Sequence, residues 1–517
     1  MMARRWLLAA FALGIAWAQF RELGLEELAA QVEIEIEPLM PARIYFQKDG
    51  RDFRPAPVDA VLPLHVDTFY RDRVWRRTSN PETLEVAAQG KSHSLLLRGK
   101  ARYTLPAANY RVEAYRGHFF TPASAEFSVK AGETRRVTLK LNSWAGADRE
   151  QWISGDDHIH LTRGPEDDAI FLDWLRAEDL TVGNFLQLQR QMDAAPQHSW
   201  GKDGEKRKDE YTIRSGQELR AEFYGHTNLL GGRELLRPVS VGTMYANTPE
   251  AYPYPAVWFR RARDLGATVG YAHFHGSMPH STFLMDLALG NIHFLEVFQF
   301  GVLRIEPWYE LLNAGLKFSG IAGSDFPVPL NGRRPWPNWL PLLGPERALV
   351  KRRPGESSYD AWARGVQEGD VIVTNGPLVE LDVRDGVATA RARFFRPLQK
   401  LQIVRNGEVI ASVEGDGRRT ELTAQNKFDA AESCWLAART TAQQEKNEPE
   451  IQAHTNPHYV LKDGKPVIVA SARDKVAAQW RAEIEHYSNA GLLFPQEARR
   501  RQFFADAEKA LAVLQGQ

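Results

Sequence analysis

The chain has 517 residues, of which 43% are apolar and 25% are charged. That composition excludes a dominantly disordered chain, and the length suits two to four domains that each bury a core. The 65 basic side chains balance the 65 acidic ones, so the formal net charge is +0. Since no Lys/Arg run forms a polyanion-binding face, we expect a small-molecule substrate and no nucleic-acid partner.

The first 18 residues have the three parts of a secretory signal peptide. Residues 1–5 are positively charged, residues 6–17 are almost wholly apolar, and Ala16 and Ala18 provide small side chains for cleavage. The apolar run is too short to span a bilayer comfortably. We therefore predict an exported protein, periplasmic or secreted, with no stable membrane insertion after cleavage. An uncleaved anchor or a buried helix is the alternative.

Cys434 is the single cysteine, so no intramolecular disulfide can form. It lies in an apolar, strand-like run that continues through Trp435 and Leu436. We interpret it as a small buried hydrophobe rather than as a reactive thiol. Stability must therefore come from packed cores, together with any bound metal.

Residues 19–148 are predicted to form a β-sandwich domain after a short helix at residues 22–31. The alternation of apolar and polar residues that marks half-buried strands is found at residues 32–36 and 137–141. Residues 105–114 read as a turn that leads into a further strand. The stretch from Leu105 to Leu141 resembles the carboxypeptidase-regulatory or transthyretin-like sandwich repeats of exported proteins, which implies a structural role.

Residues 149–382 alternate between apolar strand-like runs and amphipathic helices. Helical periodicity covers residues 169–178 and 255–265, and a buried strand is predicted at residues 267–272. The cycle repeats at residues 294–298, 309–314 and 317–322. This alternation predicts an α/β domain with a largely parallel sheet or barrel. The polar stretch at residues 192–211 predicts a long loop near the mouth.

Residues 383–517 are predicted to form a C-terminal β-rich domain with two closing helices. Residues 401–410 form a hairpin pattern around Asn406-Gly407. The closing helices are amphipathic stretches at residues 471–489 and 495–514. The predicted fold class is therefore multidomain, α/β plus all-β.

Six potential metal ligands are dispersed along the predicted α/β domain. His158 and His160 follow one strand at positions i and i+2, so both point to the same face and can bind one ion together. The other four, each in or beside an apolar run that ends in a polar turn, are Glu218, His226, His273 and Asp325. Barrels present side chains at the mouth in this way, and zinc favours imidazole with carboxylate. The alternative for an isolated His-x-His pair is surface or hydrogen-bonded histidines.

These ligands stand in short motifs that follow one another along the chain. The motifs are Asp156-Asp157-His158-Ile159-His160, Gly216-Gln217-Glu218, Gly225-His226, Tyr271-Ala272-His273, Leu295-Glu296-Val297-Phe298 and Gly323-Ser324-Asp325. In order and spacing they resemble the polymerase-and-histidinol-phosphatase (PHP) superfamily, and most of all its carbaryl-hydrolase-type (CehA/McbA) metallohydrolases. The resemblance implies a distorted (β/α)7 barrel, flanked by the N-terminal β-sandwich and the C-terminal β-rich domain.

The resemblance also implies where metal ions bind. One ion would be held by His158, His160, Glu218 and Asp325, and Glu218 would bridge to a second ion held by His226 and His273. We therefore expect one or two divalent ions, with zinc first and manganese or iron as alternatives. Many family members hold a third ion, but Asn184 and Pro327 replace two of its ligand positions here. A complete third site is therefore expected to be lost.

The expected activity is hydrolysis of an ester, amide or carbamate bond by a metal-activated water. The candidate catalytic residues are Asp325, Glu218 and His275, with Asp325 and His275 as proton shuttles and a structural role as the alternative for His275. Glu296 is expected near the site without being a ligand. The lack of an obvious Lys/Arg cluster favours these bonds over phosphoesters. A PHP-type phosphoesterase and a degenerate barrel that serves as an exported binding module with structural metal are the alternatives.

An aromatic stretch, Trp336-Pro337-Asn338-Trp339, follows the last ligand. Aromatic side chains at a barrel mouth can wall a pocket for an apolar or sugar group. A loop of this composition can equally cap the barrel. Both roles are left open by the sequence.

Overall fold

The computed structural model describes residues 29–53, 55, 60–63, 73–77, 83–88, 94–188, 195–243, 248–328, 337–429 and 431–517. The predicted signal peptide, most of the predicted first helix and Trp336 lie outside these residues. None of the helices within them is long and apolar enough to cross a membrane.

The N-terminal part of the described chain consists of strands. They are β1 Ala29–Glu37, β2 Ala42–Lys48, β3 Arg51–Phe53, β4 Ala60–Pro63, β5 Arg73–Arg77, β6 Thr83–Ala88, β7 Ser94–Leu97, β8 Lys100–Pro106, β9 Ala108–Tyr115, β10 Ala123–Val129 and β11 Thr134–Lys140. The helix predicted at residues 22–31 is wrong for residues 29–31, which belong to β1. The reason is tertiary: Gln31 is paired with Thr104 on one side and with Thr134 on the other, and such pairing overrides local helical preference.

Two sheets of the N-terminal part pack face to face. The smaller sheet has the strand order β11-β1-β8, and the larger has the order β10-β9-β2-β7-β6-β5-β4, with β3 paired to β2. Alternate residues of β1, including Val32, Ile34 and Ile36, are fully buried between the sheets. The rings of Phe46 and Tyr103 meet across the gap at a centroid distance of 5.1 Å. The predicted period-two alternation at residues 32–36 is thereby confirmed.

The central part alternates strands with helices. Its strands are β12 Trp152–Ile159, β13 Val182–Gln187, β14 Lys206–Lys208, β15 Tyr211–Ala221, β16 Gly225–Leu230, β17 Ser240–Val241, β18 Thr268–Tyr271, β19 Phe294–Gln299, β20 Val302–Leu303, β21 Ser319–Ala322, β22 Arg347–Lys351 and β23 Ile372–Thr374. Its helices are α1 Asp168–Ala177, α2 Pro255–Asp264, α3 His273–Gly276, α4 Phe283–Ala288, α5 Ile305–Asn313 and α6 Ser358–Glu368. The helices predicted at residues 169–178 and 255–265 are confirmed within one residue. Of the loop predicted at residues 192–211, residues 192–194 lie outside the described residues, and the rest contains β14, which pairs with the start of β15.

Strand direction differs from the expected largely parallel sheet. β12, β13 and β15 run parallel, as do β18, β19 and β21. Between these two groups, β16 runs antiparallel to both β15 and β18. Its first residues therefore lie at the edge where the parallel strands end.

The described chain has a mixed α/β fold with several sheets, and none of these sheets is a closed barrel. The largest sheet continues from β12 through the central part into strands of the C-terminal part. A single bridge joins Ile159, at the end of β12, to Phe326, just after β21. That bridge brings the chain around Asp325 back to the first strand of the central part.

The C-terminal part adds further strands and two long helices. The strands are β24 Leu378–Arg384, β25 Val387–Arg393, β26 Leu398–Arg405, β27 Glu408–Glu414, β28 Glu421–Lys427, β29 Cys434–Ala442, β30 Ile451–Thr455 and β31 His458–Val460, and the helices are α7 Ala470–Asn489 and α8 Glu497–Leu514. The Asn406-Gly407 hairpin between β26 and β27 is confirmed, and Cys434 is fully buried. Both helices pack against the central part: Tyr254 Oη donates to Asp506 at 2.6 Å, and Tyr487 Oη donates to the Phe223 carbonyl at 3.0 Å.

The N-terminal and C-terminal strands share one apolar core. A single cluster of buried side chains runs from β1 and β9 to β25 and β26, and includes Val32, Val112, Ala390 and Leu401. Trp144 contacts Phe394 edge to face at a centroid distance of 5.9 Å. Residues far apart in sequence are therefore needed together to bury this core.

Candidate metal centre

The first strand of the central part delivers two imidazoles to the site. Every residue of β12 is buried, and His158 and His160 point to the same face, with their Nε2 atoms 3.0 Å apart. His158 Nδ1 faces Glu296, and His160 Nδ1 lies 3.3 Å from the Leu186 carbonyl. Each ring is therefore held through Nδ1, while both Nε2 atoms face the interior of the site.

Glu218 lies between the imidazoles. Its Oε2 is 3.1 Å from His160 Nε2, and its Oε1 is 3.0 Å from His226 Nδ1. The same Oε1 is 3.7 Å from His273 Nε2 and 3.9 Å from His158 Nε2. One carboxylate thus faces four rings, which is the position that a bridging ligand requires.

A close backbone approach places His226. Gly225, at the start of β16, has φ 102°, and Gly276 has φ 88°. A Cβ on Gly276 would lie 2.6 Å from the Gly225 Cα, so only glycine fits between the two segments. Because β16 is antiparallel to its neighbours, His226 at its beginning lies beside residues near the end of β15.

Backbone strain accompanies the placement of His273. His273 and Phe274 have φ values of 53° and 67°, which are rare for residues with a side chain and costly for a bulky aromatic. The His273 N–H donates to Glu296 Oε2 at 2.6 Å, and its Nδ1 lies 2.6 Å from Gln299 Oε1. These contacts hold the strained turn and leave Nε2 directed toward Glu218.

Asp325 completes the cluster. Its backbone is also left-handed, with φ 50°, and its Oδ1 is 3.5 Å from Nε2 of both His158 and His160. The six predicted ligands form three overlapping groups, within each of which the ligand atoms lie within 4.8 Å of one another. The groups are His158, His160 and Glu218; His158, His273 and Asp325; and Glu218, His226 and His273. The structure therefore brings all six together.

Burial and charge set the protonation of the free cluster. Burial lowers the pKa of His158 to about 3 and that of His226 to about 4. Burial would also lower the pKa of His273, but the nearby carboxylates of Glu218, Asp325 and Glu296 raise it to about 10. Burial opposes ionisation of Glu218, yet Arg220 and His226 hold its pKa well below the usual range.

The donor set fits a cation. Glu218 Oε1 and Asp325 Oδ1 are buried and accept no hydrogen bond from any described residue, although imidazole nitrogens lie around both. Buried acceptors without donors are unfavourable unless a cation satisfies them. His158, His160 and Glu218 are fully buried, and His273 is the most exposed of the six. Solvent therefore reaches the cluster on the His273 side.

A layer of polar side chains surrounds the candidate ligands; sequence reasoning expected Glu296 near the site but missed Arg220 and Asn228. Glu296 Oε1 lies 3.1 Å from His158 Nδ1, and Arg220 Nε donates to Glu218 Oε2 at 3.0 Å. Asn228 Nδ2 donates to Asp157 Oδ2 at 3.1 Å. A signal existed for Arg220, because it follows Glu218 by two residues on β15 and so lies on the same face.

Several other sequence predictions have a definite place in the structure. His275 makes no hydrogen bond or ion pair with the six ligands among the described residues, and it lines a separate cleft. Trp339 is 6% exposed, packs against Phe394 and Phe395, and donates through Nε1 to Glu448 at 2.8 Å. Trp339 therefore anchors its loop to the C-terminal strands, as a capping role predicts.

The positions expected to have lost a third ion lie close to the site. Asn184 is fully buried and donates through Nδ2 to the Asp156 carbonyl at 3.0 Å. Pro327 lies two residues after Asp325 and supplies no side-chain donor atom. The groups of potential ligands found among the described residues do not include either position.

No protein-family model matches this chain, and no curated protein and no solved structure matches it.

Proposed function

We propose that this chain is an exported metal-dependent hydrolase that acts on an ester, amide or carbamate bond of a small molecule. The observation that carries the proposal is the convergence of four imidazoles on Glu218 and Asp325, whose buried oxygens lack hydrogen-bond donors among the described residues. Zinc suits this nitrogen and oxygen donor set best, and manganese or iron is the alternative.

The ligand groups support one or two ions. His158, His160 and Asp325 would hold one ion with Glu218, and His226 and His273 would hold a second through the other oxygen of Glu218. A divalent ion at such a site lowers the pKa of a water toward neutrality and polarises a carbonyl oxygen. The six ligands include two carboxylates, which would neutralise only part of the charge of two dications. The remaining positive charge favours a lowered pKa of a bound water.

The residues of the chain orient the site and accept the proton. Arg220 fixes Oε2 of Glu218, so Oε1 stays directed toward His226 and His273. Asp325 is the proposed proton acceptor, because its carboxylate lies beside both His158 and His160 in the cluster. His275 is the weaker candidate for this role, since among the described residues it makes no hydrogen bond or ion pair with the six candidate ligands.

The strand order supports a distorted (β/α)7 barrel of the PHP type. Seven strands, β12, β13, β15, β16, β18, β19 and β21, follow one another in the sheet. The Ile159–Phe326 bridge then returns the chain to the first of them. The six ligands lie at the end of these strands that such a barrel uses for its active site.

The electrostatics favour carbonyl substrates over phosphoesters. Among the described residues, the ligand side chains contact one guanidinium, that of Arg220, which donates to Glu218. Phosphoryl groups are usually bound by arginine or lysine side chains that face the substrate. An ester, amide or carbamate needs no such cation.

Metal analysis of the purified full-length protein tests the proposal. We expect at least one ion per chain in the wild type, loss of both ions in Glu218→Ala, and loss of one in His158→Ala. Glu222→Ala is the matched control, because Glu222 accepts a hydrogen bond from Thr243 instead of facing the ligands, and its metal content should equal that of the wild type. Retention of both ions in Glu218→Ala would contradict the bridging role proposed for Glu218.

Turnover assays separate the remaining alternatives. Ester, amide and carbamate substrates should be hydrolysed by the wild type, and both ligand variants should lose this activity. Hydrolysis of phosphoesters alone would instead identify a phosphoesterase. Bound ions without any turnover would identify a binding module with structural metal.

A further inference from the structure

A small cavity lies between the C-terminal strands β26, β29 and β30 and the chain at Leu303 and Ile305 of the central part. It has a volume of about 160 Å³. Pockets for drug-sized ligands measure about 300–1,000 Å³, so this cavity suits a smaller molecule. None of the residues that line it is a candidate metal ligand. The cavity is therefore a feature separate from the metal centre.

Strand pairing places a set of polar side chains on one wall of the cavity. Lys400 of β26 is paired with Thr441 of β29, which is paired in turn with Gln452 of β30. Residues directly opposite each other in neighbouring strands share a face of the sheet. Gln402 and Arg439 are paired two residues further along and so lie on the same face. The other face of these strands belongs to the apolar core shared with the N-terminal strands.

Two uncharged polar groups of this wall lack partners. The Gln452 side chain makes no hydrogen bond with any described residue, although Gln452 is only 6% exposed. Thr441 Oγ1 is buried and likewise has no hydrogen-bond partner within the described chain. Buried polar groups are almost always hydrogen-bonded, because an unsatisfied one is costly. A polar ligand in the cavity would satisfy both groups.

The charged groups of the cavity are also unpaired. Lys400 and Arg439 are partly buried and Glu450 is exposed, and all three line the cavity. Among the described residues, none of the three makes an ion pair. Arg439 Nε donates to Gln402 Oε1 at 2.9 Å, which orients the guanidinium. Glu414 lies opposite Lys400 on β27, but it neither pairs with Lys400 nor lines the cavity.

This combination of groups matches a zwitterion. A guanidinium and an ammonium group bind a carboxylate, and a carboxylate such as that of Glu450 binds a ligand ammonium group. A ligand with only one sign of charge would leave Glu450, or else both cations, unmatched. The partly buried side chains of Leu303 and Ile305 add an apolar surface. An α-amino acid combines both charges with an apolar side chain in a small volume.

We propose that this cavity binds a small α-amino acid with an apolar side chain, its carboxylate at Lys400 and Arg439 and its ammonium group at Glu450. Thr441 and Gln452 complete the hydrogen bonds of the same ligand. The proposal does not depend on the hydrolase function, because the cavity and the metal centre share no residue.

Calorimetric titration of the full-length protein with three matched probes tests the proposal. L-Valine carries both charges, 3-methylbutanoate lacks the ammonium group and 2-methylpropan-1-amine lacks the carboxylate. Valine should bind about tenfold more tightly than either of the other two, because each of them lacks one charge-assisted interaction.

Substitutions at the cavity should separate the two ends of the ligand. Glu450→Gln should raise the Kd for valine about tenfold without raising that for 3-methylbutanoate, whereas Lys400→Gln should raise both about tenfold. Thr441→Val keeps the shape of the side chain and should raise the Kd for valine about threefold, as expected for loss of one uncharged hydrogen bond. Lys427→Gln is the control, because Lys427 is exposed on β28 and does not line the cavity. It should leave every Kd unchanged.

Three outcomes would overturn the proposal. The first is no binding of valine by the wild type. The second is binding of 3-methylbutanoate as tight as that of valine, which would identify a simple anion site. The third is valine binding that both Glu450→Gln and Lys400→Gln leave unchanged, as chelation of valine by the metal ions would give. Failure of the hydrolase function is read separately, in metal content and turnover.

Discussion

Glu296 lies behind His158, with its Oε1 3.1 Å from Nδ1 of the ring, while Nε2 of the same ring faces Glu218 and Asp325. A carboxylate in this position fixes the tautomer that carries its proton on Nδ1, which leaves Nε2 able to bind a cation. Glu296 also accepts the backbone N–H of His273. One buried carboxyl group therefore orients two candidate ligands, one on β12 and one in the turn that follows β18.

Glu296→Gln should weaken metal binding by roughly 10- to 100-fold, the effect usual for loss of an orienting partner of a ligand. The amide keeps the size of the side chain but removes the negative charge behind His158. Competition with a chromophoric chelator measures the change. Glu346→Gln is the control, because Glu346 is also a fully buried carboxyl group but accepts from the Gly301 N–H instead. Equal losses in the two variants would contradict an orienting role for Glu296.

Metal affinity should rise with pH because of His273. Its pKa is raised to about 10 in the metal-free cluster. The proton on His273 therefore stabilises the folded, metal-free protein fully below about pH 6.5, and this stabilisation is lost as the pH rises through about 10. An ion that binds His273 must displace this proton. Apparent affinity for the second ion should therefore increase about tenfold per pH unit above pH 6.5, as measured by chelator competition between pH 6.5 and 8.5. His273→Gln should abolish the proton release seen by calorimetry in two buffers, and persistent release would assign the proton to another group.

The protein should lose stability in acid, in part through His454. Burial lowers the pKa of His454 to about 4; its Nδ1 lies 2.6 Å from the Thr455 carbonyl and its Nε2 lies 2.5 Å from Tyr309 Oη. A depressed histidine pKa gives stability that is present above about pH 6.5 and is lost as the pH falls through about 4. At pH 5, protonation of this histidine in the unfolded chain lowers the free energy of unfolding by about 2 kcal/mol.

Urea unfolding followed by tryptophan fluorescence measures the acid effect, since the Trp308 ring lies 4.9 Å from that of His454. The midpoint for the wild type should fall between pH 7 and pH 5. In His454→Gln the fall should be smaller, because glutamine does not titrate. A pH dependence identical to that of the wild type would rule out His454 as a contributor.

Arg43→Ala should destabilise the protein by about 3–5 kcal/mol, because it leaves a buried carboxylate without its counter-charge. Arg43 Nε is 2.9 Å from Glu178 Oε1, and both side chains are almost completely buried where β2 meets the end of α1. Arg391→Ala breaks a pair in which both side chains are about half exposed, and it should cost less than about 1 kcal/mol. The urea midpoints of the two variants are compared. Similar midpoints would contradict a larger contribution of the buried Arg43–Glu178 pair to stability.

Sequence patterns were sufficient to choose the six candidate ligands and to predict most of the elements near them. His158 and His160 could be placed together because strand residues two apart share a face, and Glu218, His226, His273 and Asp325 could be chosen because their side chains bind metals at the ends of apolar runs. All six converge in the structure. The predicted metal identity and reaction stay predictions.

Other features depend on tertiary structure that periodicity does not encode. An apolar run marks a strand but not its direction, so the antiparallel course of β16 beside Glu218 was not predicted. The left-handed backbone of His273 has no signal in its own residue type, since glycine or asparagine is usual there. Residues 29–31 pair on both sides with distant strands, and that pairing overrides the helical pattern around them.

The shared core of the N-terminal and C-terminal strands sets a condition on when the protein can fold. During synthesis from the N-terminus, Trp144 emerges long before Phe394, against which its ring packs. Until synthesis has passed the central part, the N-terminal part lacks its apolar partners in the C-terminal strands, and apolar side chains left exposed in this way favour aggregation. Completion of this core must therefore be a late event, which keeps the early chain dependent on whatever shields it during synthesis.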